Sequence, residues 1–267
     1  MCVHLHCAPA SGVDLRLLSR RQIAGLFSLA VFPALAADPA ASLIYVDHEV
    51  PPNAGRRPDG AAWGRRVAAV RLAAQVAGFP LRVDILPWVR AQEAVRDGTA
   101  DLLCASITPE REAYALFCKN KLMDNRHYFF FRKTGPVASI ADQVRNERDL
   151  ARFRMATYIG SRFPDIGRAP QHTDVFVPYT RKALQMIAAD RADIYIGEAD
   201  TTGFVMRDLQ LQDQFDCREL VDPNLSGHRI AVSRARPDAA EIAERLDRAI
   251  AIIAADGRLT RAIEAEK

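Results

Sequence analysis

The sequence predicts an α/β protein made of two units of similar size with a cleft between them. In the first part of the chain, short apolar runs alternate with helical patterns in the order βαβαβ. That order favours a mainly parallel sheet flanked by helices. A second alternating series starts near residue 127, and a strand followed by a long amphipathic helix closes the chain.

The first unit begins with a short strand at residues 43–46, followed by a loop that contains Pro51 and Pro52. A helix is predicted over residues 67–77, because its apolar residues recur at intervals of three and four and Gly78 follows as a stop. The predicted elements that complete the unit are a strand at 81–86, a helix at 89–96 and a strand at 101–105.

The second unit opens with an aromatic strand at residues 127–132 and a charged region, helix or loop, at 140–150. Thr180 is expected to cap its first long helix. Its further predicted elements are strands at 155–159, 175–177 and 193–197 and helices at 180–189 and 201–207. The closing elements are a strand at 229–232, a helix at 238–254, an Asp-Gly turn and a helix at 259–264.

Residues 95–111, VRDGTADLLCASITPER, carry the strongest chemical signal in the chain. A buried strand ends there in hydroxyl groups and an arginine, Arg111, whose rigid fork of donors matches a carboxylate. The same residues also suit a helix start, with Thr108 as cap and Pro109 and Glu110 in the first turn. Residue spacing leaves both interpretations open.

Residues 1–36 are predicted to be an export signal. Arg20 and Arg21 precede an uncharged apolar run that ends in small residues, with cleavage expected near Ala36 or Ala37. The run SRRQIAG also resembles a twin-arginine signal, so Sec and twin-arginine export both stay open. The exported chain is expected to be soluble and located in the periplasm.

Charge and motifs exclude several classes of function. Without residues 1–36 the chain keeps 33 basic and 32 acidic side chains, so it lacks the basic excess of a nucleic-acid-binding protein. No phosphate-binding or dinucleotide-binding glycine motif is found, and we expect no cofactor and no metal. Cys104, Cys118 and Cys217 allow at most one internal disulfide, with Cys104 and Cys118 the closest pair, or buried free thiols.

Four segments together resemble the bacterial family 3 extracellular solute-binding proteins, the periplasmic receptors of polar amino acid ABC transporters. These segments are VDHEVPP at 46–52, the segment at 95–111, YTRKALQMIAADRADIYIGEAD at 179–200, and the tail from residue 228. The resemblance implies a two-lobed periplasmic binding protein type II fold, with a mixed sheet in each lobe. It places lobe 1 at 42–121 plus 228–267, lobe 2 at 126–223, and the hinges near 121–125 and 224–228.

The same resemblance assigns the ligand-binding residues. Arg111 takes the place of the carboxylate-binding arginine, Ser106 that of its hydroxyl companion, and Trp88 that of an aromatic wall. Asp47 and Glu198 match acids that meet a ligand ammonium. The remaining positions are Cys104, two residues before Ser106, and Gly160 and Ser161 in a second-lobe turn. Glu198 can equally be a helix cap, because Asp200 is a second candidate for the same role.

The chain departs from the family pattern at three places. Asn53 stands where an aromatic residue usually follows the two prolines, and WGRRVA at 63–68 replaces the usual entry to the first helix. Tyr158 occupies the position of a frequent lysine, with Arg162 shortly after it. An added cation near the cleft would favour an acidic ligand.

The function expected from the resemblance is non-enzymatic capture of a small polar, carboxylate-bearing, amino acid-like solute for an ABC permease in the inner membrane. Such a solute would be an amino acid or a small organic acid. The protein is expected to act as a monomer. One alternative is a periplasmic dehydratase on the same scaffold, acting on prephenate-like acids, with Glu198 or His127 as general acid. The other is a detached sensory module.

Overall fold

The computed structural model describes residues 42–159, 175–220 and 227–266. Within these residues lie twelve strands and seven α-helices. The strands are β1 (Leu43–Asp47), β2 (Gly55–Arg56), β3 (Ala62–Trp63), β4 (Leu81–Ile85), β5 (Leu102–Ala105), β6 (Ala115–Phe117), β7 (His127–Arg132), β8 (Met155–Tyr158), β9 (Val175–Val177), β10 (Ile194–Glu198), β11 (Phe215–Leu220) and β12 (Arg229–Ser233). The helices are α1 (Arg65–Val76), α2 (Trp88–Asp97), α3 (Pro109–Glu112), α4 (Thr180–Ala188), α5 (Ala199–Asp208), α6 (Ala239–Ala255) and α7 (Arg258–Ala265).

The first lobe contains a five-stranded sheet in the order β4-β1-β5-β12-β6. β1 pairs in parallel with β4 and β5, whereas β12 runs antiparallel to β5 and β6. Side chains alternate across β5, so that Leu102 packs toward α1, α6 and α7 and Leu103 packs toward α2. Helices therefore cover both faces of the sheet, and the strands are apolar on both sides.

The second lobe contains a five-stranded sheet in the order β11-β7-β10-β8-β9. The aromatic strand β7 lies inside it, antiparallel to β10 and β11. Phe129 and Phe131 pack with Leu150 on one face, whereas Phe130 packs with Leu184 of α4 on the other. The three consecutive phenylalanines thus serve two separate cores, as the twofold period of a strand requires.

Two chain segments run between the sheets and bond to each other. His228 N–H donates to the Met123 carbonyl at 2.8 Å, and Leu122 N–H donates to the His228 carbonyl at 2.8 Å. Gly227 beside them has φ 81°, and a Cβ there would lie 2.7 Å from the Met123 carbonyl oxygen. This crossing therefore needs glycine both for its left-handed backbone and for its close approach.

Some elements differ from those that the sequence predicts. The β2–β3 hairpin, β6 and β11 were not predicted, and residues 140–150 hold two short 3₁₀ turns. Thr180 is not the N-cap of α4: Tyr179 has that position, and the Thr180 hydroxyl is hydrogen-bonded to the Tyr195 hydroxyl at 2.9 Å. The expected export signal lies outside the described residues, and the lobe limits stay predictions. None of the helices described is long and apolar enough to cross a membrane.

Candidate ligand-binding site

A cavity of about 460 Å³ lies between the two lobes. It opens beyond the carboxyl ends of β1, β4 and β5 on one side and of β10 on the other, where ligands of open α/β sheets usually bind. Its lining includes His48, Glu49, Arg56, Arg66, Trp88, Cys104, Ser106 and Arg111 from the first lobe, Asn125 and His228 from the crossing segments, and His127, Tyr195, Glu198 and Thr201 from the second lobe.

Arg111 lies in the cavity wall and is only 7% exposed. Thr108 caps α3 by accepting the Arg111 backbone N–H at 3.2 Å, so the capping interpretation holds at the same time as the side-chain placement. The guanidinium donates from Nε to Gln92 Oε1 and from Nη1 to the Ser106 carbonyl, both at 3.0 Å. It also lies 5.2 Å from the centre of the Trp88 ring. Neutral oxygens and an aromatic face therefore hold the cation in place.

The other first-lobe residues expected at the site are also in the wall. Trp88 is the first residue of α2, and its ring stacks at a tilt against His48, 4.8 Å between centroids. Ser106 accepts from Asn125 Nδ2 at 3.0 Å through its hydroxyl. Cys104 is a buried free thiol whose pKa is raised by burial. Cys118 is also a free thiol, so the structure has no disulfide between them.

Asp47 has a different environment from the one that the family pattern implies. It is 1% exposed and lies behind the cavity wall, paired side by side with Arg66. Arg66 Nη2 and Nε donate to Oδ1 and Oδ2, both at 2.7 Å. His48 N–H and the Tyr45 hydroxyl donate to the same carboxylate. Burial works to raise the pKa of Asp47, but Arg66 and His48 outweigh it and hold that pKa well below its ordinary value.

Glu198 ends β10 and is the N-cap residue of α5, with no capping hydrogen bond from its side chain. Its carboxylate instead faces the first lobe and the crossing segments. Asn53 Nδ2 donates to Oε2 at 3.0 Å, and His228 Nε2 lies 3.3 Å from Oε1. Burial raises the pKa of Glu198 above its ordinary value.

His228, Asn125 and Arg66 are site residues that the sequence did not predict. Arg66 Nη1 lies 3.4 Å from His228 Nδ1. The other ring nitrogen, Nε2, lies 3.0 Å from Asn125 Nδ2 and 3.3 Å from Glu198 Oε1. Burial and the nearby Arg66 hold the pKa of His228 well below its ordinary value, so the ring is neutral near pH 7.

The positions that depart from the family pattern connect the lobes. Asn53 Nδ2 reaches Thr201 Oγ1 at 3.3 Å as well as Glu198. Arg65, in the stretch that replaces the usual entry to α1, pairs with Asp200 at 2.7 Å. Asn53 and Arg65 thus link the start of α1 to the start of α5.

Other candidate positions lie outside the described residues or on the surface. Gly160, Ser161 and Arg162 lie outside the described residues. Arg90 has a side chain that is 76% exposed and pairs with Glu93 on the surface of α2. Among the residues described, no group of three or more His, Cys, Asp or Glu side chains is arranged to hold a metal ion.

Two mixed α/β lobes that are joined by crossing segments and enclose a cavity lined by charged and aromatic side chains define a ligand-binding clamp. The model of the bacterial extracellular solute-binding proteins, family 3, matches residues 43–265, and the chain belongs to this family. The predicted fold class and the family resemblance are both confirmed. None of the curated proteins compared with the sequence matched it.

Solved structures share the fold at low identity. A histidine kinase sensor domain with similarity to periplasmic binding proteins is 20% identical with TM-score 0.73, covering 86% of this chain and 96% of that one. An ancestral arginine-binding protein bound to arginine is 16% identical with TM-score 0.67, covering 84% and 96%. A substrate-binding protein of an ABC uptake transporter from Streptococcus pneumoniae, with bound histidine, is 15% identical with TM-score 0.66, covering 83% and 89%.

Proposed function

We propose that this protein is a periplasmic receptor that captures a small carboxylate-bearing solute between its lobes and delivers it to an ABC permease. The observation that carries the proposal is Arg111, a buried cation held in the cavity wall by Gln92, Ser106 and Trp88. A guanidinium fixed in this way is suited to bind a carboxylate by donating two parallel N–H···O hydrogen bonds to it.

Capture would proceed by closure of the lobes around the solute. Arg111 and Ser106 belong to the first lobe and Glu198 and Thr201 to the second, and all four line one cavity. A solute that contacts both sides stabilises the closed arrangement, which is the usual basis of hinge closure. The arginine and histidine bound in two solved structures that share the fold are small solutes that carry a carboxylate.

Calorimetry of the purified protein against amino acids and small carboxylates tests the proposal. Arg111→Ala should weaken binding of the best solute at least about 30-fold, since truncating one partner of a buried charge pair costs about 2 kcal/mol or more. Arg90→Ala is the matched control, because that side chain lies on the surface of α2 and does not line the cavity. Affinity retained by Arg111→Ala would refute the assignment.

Export is part of the proposal. We take residues 1–36 to be a signal peptide, and the mass of the secreted protein should then correspond to a chain that begins near residue 37. Gel filtration of that protein should give a monomer.

A sensory role would use the same solute site without a permease, so loss of solute uptake in a strain that lacks the protein distinguishes the receptor from a sensor.

The raised pKa of Glu198 is the one observation that favours a dehydratase, because a general acid must keep its proton near neutral pH. Glu198, however, is engaged by Asn53 and His228. Incubation with prephenate or arogenate should therefore yield no aromatic product, as followed by absorbance. Turnover that depends on Glu198 would replace the receptor proposal with an enzymatic one.

A further inference from the structure

Asp47 does not have an oxygen to spare for a ligand. Arg66 donates to both of its oxygens at 2.7 Å, and His48 and Tyr45 supply further donors. The side chain is 1% exposed and does not line the cavity. A ligand ammonium at Asp47 would have to displace Arg66 and leave that guanidinium buried beside a second cation, which is strongly unfavourable.

Glu198 faces the cavity, but both of its oxygens already have partners. Asn53 Nδ2 donates to Oε2 at 3.0 Å, and His228 Nε2 faces Oε1 at 3.3 Å. Asn53 is buried and also bonded to Thr201, so its amide is held in this position. The acid that the second lobe brings to the cleft is therefore hydrogen-bonded within the protein before any solute arrives.

The acceptors beside Arg111 are in use as well. The Ser106 carbonyl accepts from Arg111 Nη1, and the Ser106 hydroxyl accepts from Asn125 Nδ2, both at 3.0 Å. An α-ammonium brings three N–H donors that would have to find acceptors in this wall, and each one left buried without an acceptor is costly. A hydroxyl or keto oxygen in the same position can accept instead.

We propose that the solute is a small organic acid without an ammonium group, such as a 2-hydroxy or 2-oxo acid. This inference rests on the proposed receptor function and revises one part of the family pattern, the meeting of Asp47 and Glu198 with a ligand ammonium. Arg111 binds the carboxylate as before. The preference for an organic acid comes from Asn53, Arg66 and His228, which pair with Asp47 and Glu198. Glu49, the other acid in the lining, is exposed, and its Oε2 accepts the Arg56 backbone N–H at 3.3 Å.

The test is calorimetry against matched pairs that differ only at the α substituent: L-alanine and L-lactate, L-aspartate and L-malate, L-glutamate and 2-oxoglutarate, L-phenylalanine and phenyllactate. In the pair that binds best, the organic acid should bind at least 10-fold more tightly than the amino acid. Tighter binding of the amino acid would overturn this inference and leave the receptor proposal intact. If neither member of any pair binds, nor any other small carboxylate, both proposals fail.

A variant tests whether the hydrogen bond from Asn53 to Glu198, rather than the shape of the cavity, causes the preference for an organic acid. Asn53→Ala frees Oε2 of Glu198, so the preference for the organic acid should shrink several-fold in favour of the amino acid. Asn120→Ala is the control, since that amide bonds to Asp247 on the exposed surface of the first lobe. If the preference in Asn53→Ala equals that in Asn120→Ala and the wild type, occupation of Glu198 is not its cause and the inference is refuted.

Discussion

Replacing Arg66 by methionine would leave one of the most deeply buried acids of the protein without its counter-ion. Arg66 is 2% exposed and Asp47 is 1% exposed, and two hydrogen bonds of 2.7 Å join them. Methionine fills much of the volume of the arginine stem but provides no donor. Asp47 would then keep only the hydrogen bonds from His48 and Tyr45.

The expected loss is large relative to the stability of a folded domain. Removing one partner of a buried ion pair costs about 3–5 kcal/mol, because the other charge stays buried without compensation. Folded proteins are stable by only about 5–15 kcal/mol. For a chain of this size, 1 kcal/mol corresponds to about 2–4 °C in Tm, so the variant should melt roughly 6–20 °C below the wild type.

Thermal and urea unfolding of three variants measures this effect. Arg248→Met removes an exposed cation that pairs with Glu244 one helical turn away, and it should cost less than about 1 kcal/mol. Asp47→Asn combined with Arg66→Met removes both charges and should be more stable than Arg66→Met alone. If Arg66→Met and Arg248→Met have the same Tm, the argument that Asp47 depends on Arg66 is refuted.

Two further predictions concern the crossing segments. Wild-type stability should fall as the pH drops below about 6.5, because the unfolded chain binds a proton at His228 that the folded protein, with its lowered pKa there, does not. Urea unfolding at several pH values should show a shallower dependence in His228→Gln, and an unchanged slope would contradict the prediction. Gly227→Ala should lose about 1–3 kcal/mol from strain and from the contact with Met123. Gly60→Ala is its control, because Gly60 has a similar φ of 86° with open space around it, and equal losses would show that crowding at Met123 has no effect.

The architecture could be predicted where local pattern decides it. Strand β7 follows from its run of apolar and aromatic residues, and α6 from its amphipathic spacing. By contrast, β11 contains Asp216, Arg218 and Glu219 and looks like a polar loop. It is an edge strand, where charged side chains are common because only one side of the backbone is paired. β11 can be recognised as a strand only from its pairing with β7, and the sequence alone does not show that the two segments are adjacent.

The anion subsite that we propose could be predicted from the sequence because Ser106, Thr108 and Arg111 lie within one short stretch. The network around Asp47 was not, because its members come from positions 47, 66 and 228. One signal was available: Arg66 precedes Ala69, Val70 and Ala73 by three, four and seven residues, a spacing that places all four on the buried face of α1. A charged residue on such a face needs a buried partner, and Asp47 is that partner.

The groups that hold Arg111 have a kinetic consequence. Gln92, Ser106 and Trp88 all belong to the first lobe, so these three contacts of the proposed anion subsite do not depend on the second lobe. A solute can dock on that lobe at a rate set by diffusion, and closure then follows as a separate step. Substitutions in the second lobe or at Asn53 should therefore change the residence time of the solute much more than its association rate.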